Sequence, residues 1–394
     1  MQVKKDEYEK RIEKLQQQLQ AEETDGAIFF HPEEIFYFTG SGVHSVLLVP
    51  SHQPPILLVR INFERGKKDS YIADIRPSQG MNTLIDVIEE VYGEKKVVLG
   101  LSFDVTSLQF YSRLKKSLPQ ATFVDVQKIV WSLRLIKSNW EVSQLKNTAQ
   151  ISRKGFEQAI EALQEGMTEI QFLKTIEKIT SSYGDEGNMI QRESSNRLPF
   201  GVVAFGENTS VISGNWVTMT GSGSSPSRPY GAGDRKVAQG DLVVIDKGTV
   251  SQGYHVDEAR TFVFGKATQK QKELHKIVNE ILDHTIESIR PGKRVADIYS
   301  KAEEIAFSYD LNKEFMGLGQ YGFKYVGHGV GLEMDEPPLV SSFNEMILEP
   351  GMVLAIEPKV IFPNQFGLTI EDTVLVTETG VEILTSSSRD TLEI

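Results

Sequence analysis

Residues 240–265, GDLVVIDKGTVSQGYHVDEARTFVFG, constrain this chain more than any other stretch. Two β-rich runs, Leu242 to Ile245 and Ala259 to Phe264, flank the turn residues Ser251, Gln252 and Gly253, which is the pattern of a β-hairpin. A turn centred between Ser251 and Gln252 places Asp246 directly opposite Asp257. Like charges facing each other across a ladder destabilise it. A divalent cation removes that penalty, because hard oxygen ligands side by side are what it binds. The hairpin therefore reads as half of a metal site. Two exposed aspartates beside a turn share the same pattern, so the rest of the chain has to decide.

The second half supplies three more candidate ligands. His328 sits in GHGVGLEMDEPP, flanked by glycines that let the backbone approach neighbouring groups. Glu357 ends the strand-like run MVLAIEP, and Glu371 lies in LTIEDTVLV. A turn centred on Asn364, between Pro363 and Gln365, sets Glu357 opposite Glu371. Two antiparallel pairs thus each present two carboxylates, with an imidazole available. Four carboxylates and one histidine suffice for two divalent ions sharing a water that becomes hydroxide near neutral pH. One nitrogen among oxygen donors suits manganese first, with cobalt, iron or zinc as the other candidates.

The chain as a whole has the composition of an ordinary soluble sequence, 394 residues with 40 % hydrophobic and 24 % charged, long enough for two domains with full cores. Its net charge of −12, with no long basic stretch, argues against nucleic acid or an anionic membrane as partner. No run of 18 apolar residues is present to span a membrane, and the charged start MQVKKDEYEK lacks a secretory core, so a cytoplasmic location is expected. The absence of cysteine excludes disulfides and thiolate metal sites.

Tyr8, Ile12, Leu15 and Leu19 mark an amphipathic helix over residues 3–22. Strands are expected at Ala27 to Phe30, Val46 to Val49, Ile56 to Val59, Val97 to Leu101 and Ala121 to Val126, with helices near Met81 to Tyr92 and Val105 to Leu118. That alternation marks an α/β or α+β domain over residues 1–132. His31, His44 and His52 fall in its loops or strand ends and read as surface or structural residues. The composition changes between Trp131 and Trp140, and a second domain is expected over residues 133–394. It opens with a long helix carrying Leu145, Ala149, Phe156, Ile160 and Leu163 on one face, then a helix starting at Thr168 with a capping box to Gln171. Helices at Lys272 to Ile289 and Val295 to Phe307 follow the hairpin, giving an α+β arrangement. The glycine- and serine-rich loop at 207–233 lacks a following lysine and helix, so it reads as a loop that shapes or covers the site rather than a phosphate cradle.

The segments VVIDKG, HVDEARTF, GHGVGLE, AIEP and TIEDTVLVTETG resemble, in order, the metal motifs of the prolidase, aminopeptidase P and creatinase superfamily. The resemblance extends from about residue 130 to the end, and the preceding domain is similar to that of creatinase and prolidase. It implies a pita-bread fold, a binuclear site made by Asp246, Asp257, His328, Glu357 and Glu371, and a homodimer. It also implies that Glu357 takes the proton of the attacking water in hydrolysis of a C–N bond, with small Xaa-Pro peptides as substrates.

Three positions depart from the peptidase pattern. Where such peptidases carry a histidine in a Pro-His-Tyr segment, this chain reads Arg228, Pro229, Tyr230, or Ser213 under another alignment. Their second histidine, seven residues after the metal ligand, is Asp335, and an arginine two residues before the last glutamate is Thr369. His255, on the same strand face as Asp257, is a candidate replacement donor, and Arg228 and Tyr230 are candidates for binding substrate. The alternative is a lyase of a small carboxylate, resembling the dimethylsulfoniopropionate lyases, with Asp335 as base and a cation such as Arg228 beside it. A non-enzymatic binding module fits less well, because all five ligands are retained.

Overall fold

The strand-helix alternation of the first 134 residues builds one mixed six-stranded sheet. In the computed structural model, which describes residues 5–187, 189–192, 201–213, 219–319, 322–390 and 392–394, the chain forms two compact units, Met1–Arg134 and Leu135–Ile394. The first begins with α1 (Lys5–Ala21), β1 (Gly26–Phe29), α2 (Pro32–Thr39), β2 (Ser45–Pro50), β3 (Ile56–Val59) and α3 (Phe63–Asp69). It continues with β4 (Asp74–Pro77), α4 (Met81–Tyr92), β5 (Val97–Leu101), α5 (Leu108–Ser117), β6 (Ala121–Asp125) and α6 (Gln127–Leu135). The sheet runs β4-β3-β2-β1-β5-β6, with β1–β2 and β2–β3 antiparallel and the remaining pairs parallel. Leu84, Val87 and Ile88 of α4 and Leu114 of α5 pack on Ile28, Leu48, Leu58 and Leu99. Each such burial contributes about 1.5–3 kcal/mol.

The elements α2, α3 and β4 lie outside the sequence expectation. α2 begins with Pro32 just after the extended residue His31, a proline start that a period search passes over. His31 has an acidic partner two residues on, with Nδ1 3.0 Å from Glu33. His44 and His52 are exposed.

The second unit starts with two capped helices, α7 (Asn139–Ala162) and α8 (Glu169–Ser182). Ser138 with Glu141, and Thr168 with Gln171, form complete capping boxes. The strands β7 (Val202–Phe205), β8 (Leu242–Asp246), β9 (Thr249–Ser251), β10 (Tyr254–Val256) and β11 (Ala259–Val263) follow. Two more helices, α9 (Gln269–Ser288) and α10 (Val295–Ser308), lead to β12 (Gly327–Gly329) and β13 (Val353–Ile356). The last strands are β14 (Lys359–Phe362), β15 (Phe366–Thr369), β16 (Asp372–Val376) and β17 (Val381–Ile383). α9 begins three residues earlier than its apolar period indicates, because Thr268 and Gln271 close a third capping box.

Each helix pair covers its own sheet. Phe156 and Ala159 of α7 and Phe172 and Ile176 of α8 pack on Val203, Val243, Ile245 and Phe262 of the sheet β11-β8-β7. Val278 and Ile281 of α9 and Ile298 and Ala302 of α10 pack on Leu354, Ile356, Val374 and Val376 of the sheet β12-β13-β16-β17. The two sheets meet where Glu371 donates its backbone N–H to the Ala259 carbonyl at 3.0 Å. That junction is where the candidate ligands gather.

Candidate metal centre

The first hairpin has a different register from the one expected. Gln252 and Gly253 both take left-handed backbone conformations (φ 53° and 77°), making a two-residue turn of the type that matches strand twist. Ser251 therefore pairs with Tyr254, and Asp246 pairs with Ala259 rather than with Asp257. The ladder is displaced by two residues, which preserves the face but sets the two aspartates diagonally. The second register is as read from the sequence. Asn364 adopts φ 57° in the turn, Lys359 pairs with Thr369, and Ile356 pairs with Asp372, which leaves Glu357 and Glu371 at the break between two ladders of one register.

His328 is carried by β12 against β13, paired with Ala355. The close approach needs Gly327 and Gly329: a Cβ on either would lie 2.0 Å from the Ala355 carbonyl oxygen or 2.2 Å from that of Pro337. The Nδ1 of His328 faces two acceptors, the Gly329 carbonyl at 3.0 Å and Asp335 Oδ1 at 3.3 Å. Nδ1 keeps its hydrogen toward these acceptors, so Nε2 is the nitrogen that faces the cluster, and it becomes a ligand lone pair when a metal ion displaces its proton. It lies 4.0 Å from Asp257 Oδ2 and 4.0 Å from Glu357 Oε1. Ligand atoms of Asp257, His328 and Glu371, all buried, fall within 4.8 Å of one another.

The electrostatics of this cluster call for a cation. Burial is the main force raising the carboxyl pKa values of Asp246, Asp257 and Glu371, with Asp257 at about 7, and neighbouring carboxylates add to it. Burial opposes charge on His328, yet Asp335, Glu357 and Asp257 outweigh it and hold its pKa at about 9. Glu371 is 1 % exposed, and neither of its side-chain oxygens has a hydrogen-bond partner among the described residues. Orphaned buried carboxylate oxygens on Glu371, beside an imidazole nitrogen that a metal ion can deprotonate, fit a divalent ion.

One cation is already built in. Lys359, on β14 and two residues beyond Glu357, has a side chain only 2 % exposed. Its Nζ contacts Glu357 Oε2 and lies 3.6 Å from Asp246 Oδ2. Burial works against its charge, but Glu357, Asp246 and Glu371 outweigh that and keep the ammonium protonated. Sequence reasoning missed it, although a lysine opening the otherwise apolar KVIF strand was a visible signal. Arg260 was missed as well: it donates Nη1 to the carbonyls of Ala259 (2.8 Å) and Glu371 (2.5 Å), and Nη2 to Glu258 and Asp372 at 2.8 Å each. It thereby fixes the junction that carries Glu371. Tyr325 stays a phenol, its ionisation opposed first by burial and then by Glu357.

Several sequence candidates have other partners. His255 is fully buried, with Nε2 accepting from the Ile190 N–H at 3.1 Å and Nδ1 3.2 Å from the Gly331 carbonyl. Both ring nitrogens serve backbone and its strand partner is Val250, so the ring pins the 189–192 segment to the Gly331 turn. Asp335 engages His328 through Oδ1 and Gln191 through Oδ2 at 2.9 Å. Its cationic partner is thus the imidazole, not Arg228. Arg228 is exposed, in a turn closed by its N–H to the Ser225 carbonyl at 2.8 Å, and Tyr230 is half-buried in the same loop. Among the described residues neither makes a hydrogen bond or ion pair with the five cluster residues. Ser213 is held by Thr220, and the fully buried Thr369 is tied to Thr261. Residues 214–218 of the long loop lie outside the described residues.

Comparison with known proteins places this geometry in a family. The metallopeptidase family M24 matches residues 143–378, and the creatinase/prolidase N-terminal domain matches residues 11–136. An Xaa-Pro dipeptidase of Pyrococcus furiosus is 28 % identical over 97 % of this chain and 99 % of its own length. An uncharacterized peptidase of Staphylococcus epidermidis is 30 % identical over 95 % of this chain and 98 % of its own. The crystal structure of the prolidase from Pyrococcus horikoshii superimposes with a TM-score of 0.81 and 26 % identity, covering 97 % of this chain and 100 % of that one. Whole-length agreement in fold and order, with the buried acid-histidine cluster at the junction of two sheets, leads to one conclusion. The chain belongs to metallopeptidase family M24, a metallohydrolase with a pita-bread domain preceded in sequence by a creatinase/prolidase-type domain.

Proposed function

We propose that the protein hydrolyses the C–N bond of small Xaa-Pro peptides, as a dipeptidase or aminopeptidase, with a divalent ion for which manganese is the first candidate. The observation that carries this reading is the meeting of Asp257, His328 and Glu371 beside Glu357, in a chain similar end to end to an Xaa-Pro dipeptidase. A bound divalent ion supplies Lewis acidity and brings the pKa of water toward neutrality. The protein's residues do the rest. Asp257, Glu371 and the Nε2 of His328 hold the ion, while Asp335 and the Gly329 carbonyl fix the histidine tautomer. Glu357 takes the proton of the attacking water and returns it to the leaving nitrogen. A homodimer belongs to the same proposal, supported by the resemblance.

The test is a panel of Ala-Pro, Gly-Pro-X peptides and dimethylsulfoniopropionate, offered to the manganese-loaded protein and to Asp335→Asn. A positioning role for Asp335 lowers apparent metal affinity about 10–100-fold in the variant and leaves peptide turnover near normal at saturating manganese. Cleavage of dimethylsulfoniopropionate alone, lost in Asp335→Asn at every manganese concentration, would establish the lyase reading instead.

A further inference from the structure

The Lys359 ammonium stands against the two candidate carboxylates that the Asp257, His328 and Glu371 group leaves over for a second ion. Glu357 Oε2 is in contact with it, and Asp246 Oδ2 is 3.6 Å away. The contact is built rather than casual. Lys359 is 1 % exposed as a residue. Its backbone pairs with Thr369, and its carbonyl accepts from the Met316 N–H at 2.9 Å. The i, i+2 spacing along extended chain puts its side chain on the same face as Glu357. Moving the ammonium aside for a metal ion would leave a buried cation without its anions, and leaving it there sets two cations on shared oxygens. By contrast, Asp257, His328 and Glu371 bring ligand atoms within 4.8 Å of one another, His328 faces the other oxygen of Glu357, and both oxygens of Glu371 lack hydrogen-bond partners among the described residues.

We propose that Lys359 permanently takes the place of one divalent cation, so that each chain holds a single metal ion, at Asp257, His328 and Glu371, while lysine answers Asp246 and Glu357. The inference rests on the metal-dependent reading of the site and replaces the two-ion loading that the resemblance implies. Glu357 is thereby held by a fixed ammonium instead of a second ion, which confines it to one orientation beside the His328 imidazole.

Metal content measured directly tests this apart from activity. The full-length protein is equilibrated with excess manganese, desalted and analysed for metal per chain. One manganese ion is expected in the natural protein and two in Lys359→Ala, where the space and both carboxylates are freed. Two ions in the natural protein would overturn the inference while leaving the hydrolase reading intact; no retained ion would overturn both. One ion in a folded Lys359→Ala would overturn the role given to Lys359. Electron paramagnetic resonance of the manganese-loaded natural protein keeps the question open to refutation even where the variant does not fold. An isolated six-line spectrum is expected, and an exchange-coupled pair spectrum would contradict it.

Discussion

Glu371→Gln is expected to lose the bound metal ion and, at the same time, to make the metal-free protein more stable. Both effects have one cause. Glu371 is 1 % exposed, its oxygens lack hydrogen-bond partners among the described residues, and burial first, then Asp257, Asp246 and Glu357, hold its carboxyl pKa well above the usual range. Such a group is tolerated because a cation repays its desolvation. Glutamine keeps the shape and removes the charge. Since residues one shell removed from a metal cost about 10–100-fold in affinity, loss of a direct ligand is expected to exceed about 100-fold in manganese affinity. Replacing a buried charge by a neutral group is expected to stabilise the chelated protein by about 1–4 kcal/mol. Titration calorimetry and urea unfolding in chelator measure the two. Unchanged affinity, or destabilisation of the metal-free form, would contradict the placement of Glu371 at the metal.

Arg260→Met is the largest expected stability loss. The guanidinium is 2 % exposed and joins Glu258 and Asp372, themselves 0 % and 1 % exposed, while donating to the carbonyls of Ala259, Glu371 and Ser387. Removing one partner from a buried ionic group leaves charge uncompensated and costs about 3–5 kcal/mol. The planar fork also spaces β11 from the Glu371 backbone, which a lysine cannot do. Arg260→Lys is therefore expected to recover less than half of the loss. The urea midpoint followed by circular dichroism measures both, and a loss below about 1 kcal/mol in Arg260→Met would show that the junction does not depend on the guanidinium.

What was legible in the sequence followed from short-range rules. Capping residues such as Thr168 and Gln171, apolar periods such as that of α7, and the Asn364 turn all report on neighbours within a few positions. The register that sets Glu357 against Glu371 came from such a turn. The first hairpin was misread by two residues because Gln252, a side chain that seldom adopts a left-handed conformation, does so here. Partners distant in sequence were out of reach. Asp335 finds His328 and Gln191, and His255 finds the backbone of Ile190 and Gly331, through folding of the 189–192 segment onto the 328–336 loop. Lys359 and Arg260 escaped notice for a related reason: charged residues on strands read as solvent-facing until both faces are seen to be covered.

Release of free proline from Ala-Pro by the manganese-loaded protein, run beside Glu357→Ala at equal metal content, tests the central claim most directly. Metal-dependent cleavage in the natural protein, abolished by chelation and reduced at least about 100-fold in the variant, is the expected result. Peptide turnover equal in the two proteins, or none in the natural protein with its metal ion in place, would contradict it.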